Sequence, residues 1–483
     1  MIIYIYYIKV LFNFVNNNLK KIIIMSKPLT KDDWIKIGQK MMEDHAKAVK
    51  IAKTRKFDTI ATHGLYNMEK AFSGNSGSIM EPIYLTTAEA YVDSAHMEAA
   101  LAYEMPTWCY SRIANPSNGF LEDTIALLES YDSDIEASCL ATSSGMAAIR
   151  TATDAFLIKD DKLPKPNFVT SAKVYDGTFQ QFSVRRYKEQ GIDVRWIKNP
   201  YDLNEWKSQI DEGTRFVYGE FPSNPAVAIF DIEEVVKLAH KFGVPMIVDA
   251  TCASPALTRP LLYGADIVIQ SGTKVISTNG TSICGMLTSR KNIVSKVGCD
   301  EMKADFAVWA KLWPYRDNGP SISPINSILT LNDLRSLRMR ISQMSDTGMK
   351  VATYLENHPK IDKVYYPGLK SYPAHEIAKK YMKLADTNEN KYSYMMAMEI
   401  KEKAPMDSVN ARKFYDALQM IWRATDLGRC KTVATLNAIS THQQQGEEGR
   451  KLAEIKPSTC RIAVGIEDAD DIIRDLEQAL AKI

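Results

Sequence analysis

Short apolar runs recur through the middle of the chain, and stretches with helical periodicity separate several of them. The apolar runs are ASCLAT, NFVTSA, RFVYGE, PMIVDA and DIVIQS. Between them, MAAIRTATDAFL and DIEEVVKLAHKFG space apolar residues as one face of a helix requires. Strands that alternate with helices in this way are typical of parallel βαβ units with helices on both faces of a sheet. The pattern therefore predicts an α/β fold with a mostly parallel sheet.

The flanking segments have a different character. Residues 31–55 predict an amphipathic helix, and residues 56–120 contain many turn-forming residues, which indicates an irregular arm. Near the C-terminus, the candidate strands KVYY, YMMAMEI and CRIAVGI and the helix DADDIIRDLEQALAKI predict a smaller α+β domain. We therefore expect four parts: an extension (1–24), an arm (25–120), a large α/β domain (121–320) and a C-terminal domain (321–483).

The first 24 residues are mostly apolar, but Lys9 interrupts the run. No uninterrupted apolar stretch of about 18 residues exists, so a transmembrane helix is not expected. A cationic segment and a small-residue cleavage site are both lacking, which disfavours a signal peptide. The segment MSKPLTKDDW, which begins at Met25, resembles an ordinary start. We expect residues 1–24 to be an upstream mis-start or a poorly ordered extension.

Composition narrows the classes of function. The 483 residues include 60 Lys+Arg and 58 Asp+Glu, and 45% of them are hydrophobic. This balance is ordinary for a globular protein and gives no electrostatic case for nucleic acid or a membrane surface as partner. The seven cysteines are widely spaced and form no C-x-x-C pair, so we expect reduced thiols in a cytoplasmic protein and no metal site.

Candidate chemistry follows the strands, because ligands of parallel sheets bind outside the carboxyl ends of their strands. Lys274 comes shortly after the run IVIQ, where desolvation favours a nucleophilic amine, although most lysines after strands are simply solvated. Asp249 ends the neighbouring run and could hold a ring N–H, or it could cap a turn. Ser144, Gly145 and Met146 join a strand to a helix, where backbone N–H groups favour a phosphate. An ordinary strand-to-helix turn would have the same sequence pattern. An amine, an acid and a phosphate cradle together suggest pyridoxal phosphate.

Longer segments carry a family resemblance that extends from Thr59 to Ile483. They are YSRIANPSNGFLEDTIALLE, SSGMAAI, VYDGTF, FPSNPAVAIFDI, VDATCASPALTRPLLYGADIVIQSGTK, YYPGL and CRIAVGIEDADDIIRDLEQAL. With these segments the chain resembles the Cys/Met-metabolism family of pyridoxal phosphate enzymes. Its members include cystathionine γ-synthase, cystathionine γ- and β-lyases, methionine γ-lyase and the O-acylhomoserine sulfhydrylases. The resemblance implies the type I pyridoxal phosphate fold, with an N-terminal arm, a large α/β domain and a smaller C-terminal α+β domain.

The resemblance also implies residue roles around the cofactor ring. Lys274 resembles the lysine that holds the cofactor covalently and carries protons between Cα, C4′ and Cβ. Asp249 resembles the partner of the pyridine nitrogen, and Asn224 resembles the partner of the ring hydroxyl. Tyr175 resembles the aromatic residue that stacks on the ring and acts as a base, and Thr251 belongs to the same cofactor-binding set.

Other matched positions concern the phosphate, the substrate and a second subunit. Ser144, Gly145 and Met146 resemble the phosphate loop, and the hydroxyls of Ser271 and Thr273 add to it. Tyr110 and Arg112 resemble a pair that reaches the phosphate from a neighbouring subunit, with Tyr110 also near the substrate. Arg461 resembles the arginine that clamps the substrate α-carboxylate. These roles imply a homo-oligomer with shared active sites, which in this family is usually a tetramer.

Four departures from the family pattern bear on specificity. Ala250 stands where the family has an asparagine, and Gly177 stands where methionine γ-lyases carry a cysteine. Asp426 replaces the serine of the usual Ser-Leu-Gly near the substrate carboxylate, so it must point away, be protonated or mark an altered substrate. Lys431 stands where many γ-lyases have a glutamate, which favours γ-replacement.

We therefore expect γ-replacement by a thiol on a homoserine-derived substrate. The first alternative is a carbon–sulfur lyase that acts on cystathionine or methionine by γ-elimination. Two further alternatives are a catalytically idle relative that binds the cofactor, which Asp426 would favour, and an aminotransferase on the same fold.

Overall fold

The computed structural model describes residues 28–158 and 160–483. The predictions for residues 1–24 concern a segment outside the described residues. The chain divides into two compact units. Among the described residues, the first comprises 28–48 together with Ala88–Ser111, and the second comprises Val49–Thr87 together with Arg112–Ile483.

The helices and strands alternate over most of the second unit. In chain order the helices are α1 (Lys31–Lys53), α2 (Phe57–His63), α3 (Met68–Gly74), α4 (Ser94–Leu101), α5 (Pro116–Glu129), α6 (Gly145–Asp154), α7 (Asp176–Gln180), α8 (Leu203–Gln209), α9 (Ile232–Lys241), α10 (Ser254–Leu257), α11 (Asp300–Ala304), α12 (Phe306–Ala310), α13 (Arg316–Asn318), α14 (Pro324–Leu334), α15 (Leu337–Glu356), α16 (His375–Tyr381), α17 (Val409–Ala417), α18 (Gly446–Leu452) and α19 (Ala469–Leu480). The strands are β1 (Ala137–Thr142), β2 (Asn167–Ser171), β3 (Asp193–Ile197), β4 (Thr214–Glu220), β5 (Met246–Asp249), β6 (Ile267–Gln270), β7 (Gly285–Arg290), β8 (Ile361–Tyr365), β9 (Met395–Ile400), β10 (Trp422–Arg423), β11 (Val433–Leu436) and β12 (Thr459–Ala463).

The first unit has a small apolar cluster of its own. Ala99, Ala100 and Met105 are buried, and Trp34 packs against them from α1. The indole N–H of Trp34 donates to a carboxylate oxygen of Asp93 at 3.1 Å, which satisfies the one polar atom of this side chain.

The second unit is built on a seven-stranded sheet in the order β1-β7-β6-β5-β4-β2-β3. Strands β6, β5, β4, β2 and β3 run parallel, whereas β7 is antiparallel to both β6 and β1. Every residue of β4, β5 and β6 is buried, because helices cover both faces of a parallel sheet. Phe156, Phe168 and Phe216 pack in the apolar core beside this sheet. The carboxyl ends of β4, β5 and β6 therefore lie side by side at one edge.

A second sheet has five strands in the order β10-β11-β12-β9-β8. Only β10 and β11 pair in parallel, and the other neighbours are antiparallel. The terminal helix α19 buries Ile472, Leu476 and Leu480 on one face, as its periodicity predicts.

Most of the predicted elements are present. The five apolar runs of the middle region form β1, β2, β4, β5 and β6, and the three C-terminal runs supply β8, β9 and β12. The fold class is confirmed: a mostly parallel sheet is accompanied by a smaller antiparallel one. The predicted irregular arm contains three short helices, α2, α3 and α4. Within the described residues, no helix is long and apolar enough to cross a membrane.

Candidate active site

A cavity lies at the carboxyl edge of the large sheet. Its walls come from the segments that follow β1, β2, β4, β5 and β6, together with a loop before β11. The lining residues are Ser144, Gly145, Met146, Ile149, Tyr175, Thr178, Glu220, Pro222, Asn224, Asp249, Thr251, Cys252, Ser271, Thr273, Lys274, Thr425 and Leu427. The cavity therefore brings together all the predicted cofactor-binding residues except Tyr110 and Arg112, which were expected to come from a neighbouring subunit.

Lys274 lies in the loop that joins β6 to the antiparallel strand β7. The Thr273 hydroxyl donates to the carbonyl of Cys284 at 3.1 Å and accepts from the N–H of Cys284 at 3.1 Å. The N–H of Thr273 donates to the same carbonyl at 3.2 Å. These bonds fix the two ends of the loop to each other. They also occupy the Thr273 hydroxyl. To donate a hydrogen bond to a phosphate, this hydroxyl must first give up its hydrogen bond to the Cys284 carbonyl.

Two buried carboxyl groups lie next to each other at the ends of β4 and β5, where Glu220 and Asp249 are paired in register. Asp249 accepts hydrogen bonds from the N–H of Thr251 at 2.9 Å and from the hydroxyl of Tyr218 at 3.3 Å. Burial raises the pKa of Asp249, and these two donors oppose the rise. Burial and the neighbouring Asp249 raise the pKa of Glu220 well above its usual value. A cationic N–H placed beside Asp249 would favour its charged form.

Glu220 is a site residue that the sequence reasoning missed. Its two oxygens accept from the backbone N–H of Tyr175 at 2.7 Å and from that of Asn224 at 3.1 Å. One carboxyl group thus positions two predicted cofactor residues that are far apart in sequence. The position of Glu220 as the last residue of a buried strand is the signal that could have singled it out.

The start of α6 forms the other end of the cavity. The Ser144 side chain caps the helix by accepting from the N–H of Ala147 at 3.1 Å. A Cβ at Gly145 would lie 2.7 Å from the Cβ of Ser271, so glycine is the residue that allows the helix start to approach the lysine loop this closely. The start of α6 and the hydroxyl of Ser271 line the same part of the cavity, which is a suitable environment for a phosphate.

The loop that carries Tyr175 is tightly packed around its ring. A Cβ at Gly177 would lie 2.5 Å from Cε1 of Tyr175 and 3.1 Å from the sulfur of Met146. A cysteine at position 177 would therefore displace the Tyr175 ring. Burial raises the pKa of Tyr175, with contributions from Asp176 and Glu220, so the phenol keeps its proton at neutral pH.

Arg461 lies on β12 and is completely buried. Its guanidinium donates to the side-chain oxygen of Asn224 at 3.0 Å and to the backbone carbonyls of Thr425 at 3.3 Å and Asp426 at 2.6 Å. Its Nε has no hydrogen-bond partner among the described residues. A buried cation with an unpaired donor is suited to a carboxylate ligand, but Arg461 lies behind the cavity wall and is not one of the lining residues.

Asp426 faces the predicted nucleophile. Its Oδ1 accepts from the Lys274 amine at 3.0 Å, and its Oδ2 contacts Nε of Arg429. Burial alone would raise the pKa of Asp426, but the charge of Lys274 and the contact with Arg429 outweigh it, so the pKa lies below its usual value. The sequence left three alternatives open for Asp426: a side chain that points away from the substrate carboxylate, a protonated carboxyl, or an altered substrate. The lowered pKa disfavours the protonated carboxyl.

Three predicted residues have other surroundings. Arg112 is exposed and donates to the backbone carbonyl of Arg316, and it does not line the cavity. Tyr110 belongs to the first unit and is exposed. The amine of Lys431 lies over the ring of Trp422, 4.9 Å from its centre, and Lys431 does not line the cavity either. The argument for γ-replacement from Lys431 thus receives no support from its position.

The cavity residues fit pyridoxal phosphate. The start of α6, where a Cβ at Gly145 has no room, can hold a phosphate, and Lys274 supplies an amine for an aldehyde. Asp249 is a buried acid that a protonated ring nitrogen would charge, and Tyr175 offers an aromatic face.

Comparisons with known proteins agree with this donor set. The family model described as Cys/Met metabolism PLP-dependent enzyme matches residues 58–481. Homocysteine/cysteine synthase from Saccharomyces cerevisiae is 30% identical over 456 residues, which cover 88% of this chain and 98% of that protein. L-Methionine gamma-lyase from Fusobacterium nucleatum subsp. polymorphum is 32% identical, with coverage of 84% and 94%.

Among solved structures, a putative O-acetylhomoserine (thiol)-lyase from Campylobacter jejuni superposes with a TM-score of 0.77 at 30% identity. The alignment covers 88% of this chain and 100% of that one, whose structure contains N′-pyridoxyl-lysine-5′-monophosphate. The strand-end cavity with its lysine, the match over nearly the whole chain and the shared fold lead to one conclusion: this chain belongs to the Cys/Met-metabolism family of pyridoxal phosphate-dependent enzymes.

Proposed function

We propose that this protein is a γ-replacement transferase that exchanges the γ-substituent of an activated homoserine for a thiol. One observation supports an α-amino acid as the substrate. Asp426 contacts both the Lys274 amine, through its side chain at 3.0 Å, and the Arg461 guanidinium, through its backbone carbonyl at 2.6 Å. An amine nucleophile and a buried carboxylate-binding cation are therefore neighbours, as recognition of an α-amino acid requires.

Each group has a role in this reaction. Arg461 binds the substrate α-carboxylate, and the packing around it orients the α-carbon towards Lys274. The start of α6 and Ser271 would hold the cofactor phosphate, Asp249 its ring nitrogen and Tyr175 its ring face. When bound, pyridoxal phosphate supplies an electron sink that makes the Cα and Cβ protons acidic. Lys274 would take the Cα proton and pass it on to C4′ before it takes the Cβ proton, and the γ-substituent would then leave with its bonding electrons. A thiol would add at Cγ and give its proton to the departing group, and Lys274 would return protons to Cβ and Cα.

The relatives support a reaction at sulfur but include both outcomes, because a homocysteine/cysteine synthase and a methionine gamma-lyase are similarly close. Gly177 favours replacement, because methionine γ-lyases carry a cysteine at this position.

The test is to measure 2-oxobutanoate and thioether or thiol products from O-acetylhomoserine, cystathionine and methionine, each with and without sulfide or cysteine. We expect consumption of O-acetylhomoserine, with less 2-oxobutanoate when a thiol is added. Release of 2-oxobutanoate from methionine or cystathionine without a thiol, and no thiol-dependent product, would instead identify a lyase.

We also propose that the active site is completed in a homo-oligomer, in which Tyr110 and Arg112 of one subunit serve the site of another. Apolar side chains on the segment around α3 support this proposal. Met68, Phe72 and Ile79 are 78%, 72% and 90% exposed, which is unusual for neighbouring large apolar residues on a lone subunit. Sedimentation analysis of the purified protein would test it, with a monomer at micromolar concentration as the contrary result.

A further inference from the structure

The Asp426 carboxylate lies between two cations. Its Oδ1 accepts from Lys274 at 3.0 Å and from the N–H of Leu427 at 2.9 Å, and its Oδ2 contacts Nε of Arg429. The Asp426 side chain is 34% exposed, and those of Lys274 and Arg429 are 26% and 15% exposed. The group is therefore partly shielded from solvent, and its position is fixed by three donors.

Arg429 is itself fixed by the loop that carries Lys274. Its Nη1 donates to the carbonyls of Thr273 at 2.7 Å and Ser277 at 2.8 Å, on either side of the lysine. The guanidinium thus spans from the Lys274 loop to the Asp426 carboxylate. Three contacts hold it, so Arg429 is a built element of the site and not a loose surface partner.

The same carboxylate is next to the expected binding site of the substrate carboxylate. Arg461 donates to the backbone carbonyl of Asp426 at 2.6 Å, so an anion bound at Arg461 lies within electrostatic range of the Asp426 side chain. An unbalanced negative charge there would repel the substrate. Arg429 places a positive charge directly on Asp426 and cancels most of that repulsion.

We propose that Asp426 is a positioning residue that holds the released amine of Lys274, and that Arg429 balances its charge so that an anionic substrate is still accepted at Arg461. The second half of this inference rests on the proposed function. The first half depends only on the contacts of Lys274, so the two can fail separately.

The first experiment uses the cofactor-free protein. Lysine acetylation by acetic anhydride is followed by mass spectrometry in the native protein and in Asp426→Asn and Asp426→Ser. An amine that serves as the donor of an ion pair attacks an electrophile slowly. We expect Lys274 to be labelled about tenfold faster in both variants, which corresponds to about 1.4 kcal/mol. The exposed Lys207 on α8 is the internal reference for reagent concentration, and circular dichroism of each protein reports an intact fold.

A matched control removes one carboxylate from an exposed pair. Glu234 contacts Lys237 at 2.7 Å on α9, so Glu234→Gln should leave Lys274 labelling unchanged. If Lys274 is labelled at the native rate in both Asp426 variants while labelling of Lys207 is unchanged, Asp426 does not hold the amine and the positioning role is wrong.

The second experiment separates the charge balance from folding. With the loaded enzyme, Arg429→Gln should raise KM for the amino-acid substrate about tenfold with a much smaller change in kcat, because the unbalanced carboxylate opposes binding. The double variant Asp426→Asn/Arg429→Gln should return KM towards the native value. If Arg429→Gln lowers kcat alone, or if the double variant is no better than Arg429→Gln, the charge-balance role is wrong. Absence of any γ-replacement activity would refute the proposed function and leave the labelling result standing.

Discussion

Glu129, the last residue of α5, is a fully buried acid directly below the lysine loop. One of its oxygens accepts from the side-chain N–H of Gln270 at 2.8 Å, and the other has no hydrogen-bond partner among the described residues. Burial raises the pKa of Glu129 from 4.5 to about 7, against smaller opposing effects of Gln270 and Arg259. The folded protein therefore holds the Glu129 proton more tightly than the unfolded chain does.

This difference makes stability depend on pH in a defined direction. Because the folded state binds the proton more tightly, the free energy of unfolding falls as pH rises from about 4.5 to about 7 and then levels off. A pKa difference of about 2.5, at about 1.36 kcal/mol per pKa unit, destabilises the folded state by about 3 kcal/mol above pH 8. At pH 5.5 the same relation gives about 1 kcal/mol.

The variant Glu129→Gln removes the ionisation and keeps an acceptor for Gln270. We expect it to be more stable than the native protein by about 1 kcal/mol at pH 5.5 and by about 3 kcal/mol at pH 8. Urea unfolding at the two pH values measures the difference. Glu448→Gln on the exposed face of α18 is the control, and its effect should stay within about 0.5 kcal/mol at both pH values. A Glu129→Gln effect that is equal at both pH values, or larger at pH 5.5, would refute the reasoning.

The other predictions concern the site. Lys274→Ala should abolish both turnover and the absorbance of the lysine–cofactor Schiff base, and retained turnover would show that another residue is the nucleophile. Arg112→Ala should weaken cofactor retention, and mixing it with Lys274→Ala under conditions of subunit exchange should restore some activity, whereas no restoration would argue against a shared site. Gly145→Ala should also weaken cofactor retention on gel filtration, because its Cβ would lie 2.7 Å from that of Ser271 and must push the helix start away from the lysine loop. Unchanged retention would show that this start does not hold the phosphate.

The alternation of apolar runs and helices was sufficient to predict most of the large sheet. It did not identify β3 (DVRWI), in which Asp193 and Arg195 interrupt the apolar residues, or β7 (GMLTSR), in which only two of six residues are large and apolar. Strand β3 lies at the edge of the sheet, where one side is less covered, so its sequence needs fewer apolar residues. The antiparallel direction of β7 also depends on pairing with β1, which lies far away in sequence and has no local signal.

The site shows the same division between local and distant information. The strand-end rule located Lys274 and Asp249, because Asp249 is the last residue of β5 and Lys274 comes four residues after the end of β6. The surroundings of Asp426 could not be derived in this way. Its partners Lys274 and Arg429 lie 152 and three residues away along the chain, and only the folded arrangement shows that both reach one carboxylate. Lys431 shows the opposite: it is only four residues from Leu427, which lines the cavity, but its side chain lies over Trp422 and does not reach the cavity.

The bonds between Thr273 and Cys284 have a consequence for motion. They close the lysine loop into a small ring of backbone that is continuous with two hydrogen-bonded strands. Such a ring has little freedom to swing as a unit, so the travel of the Lys274 amine must come from rotation about its own side-chain bonds. The amine can then move between attached and released positions while the backbone stays in place. The reaction would proceed without a hinge at the nucleophile, and the frequency of these rotations would be set by the side chains around the amine.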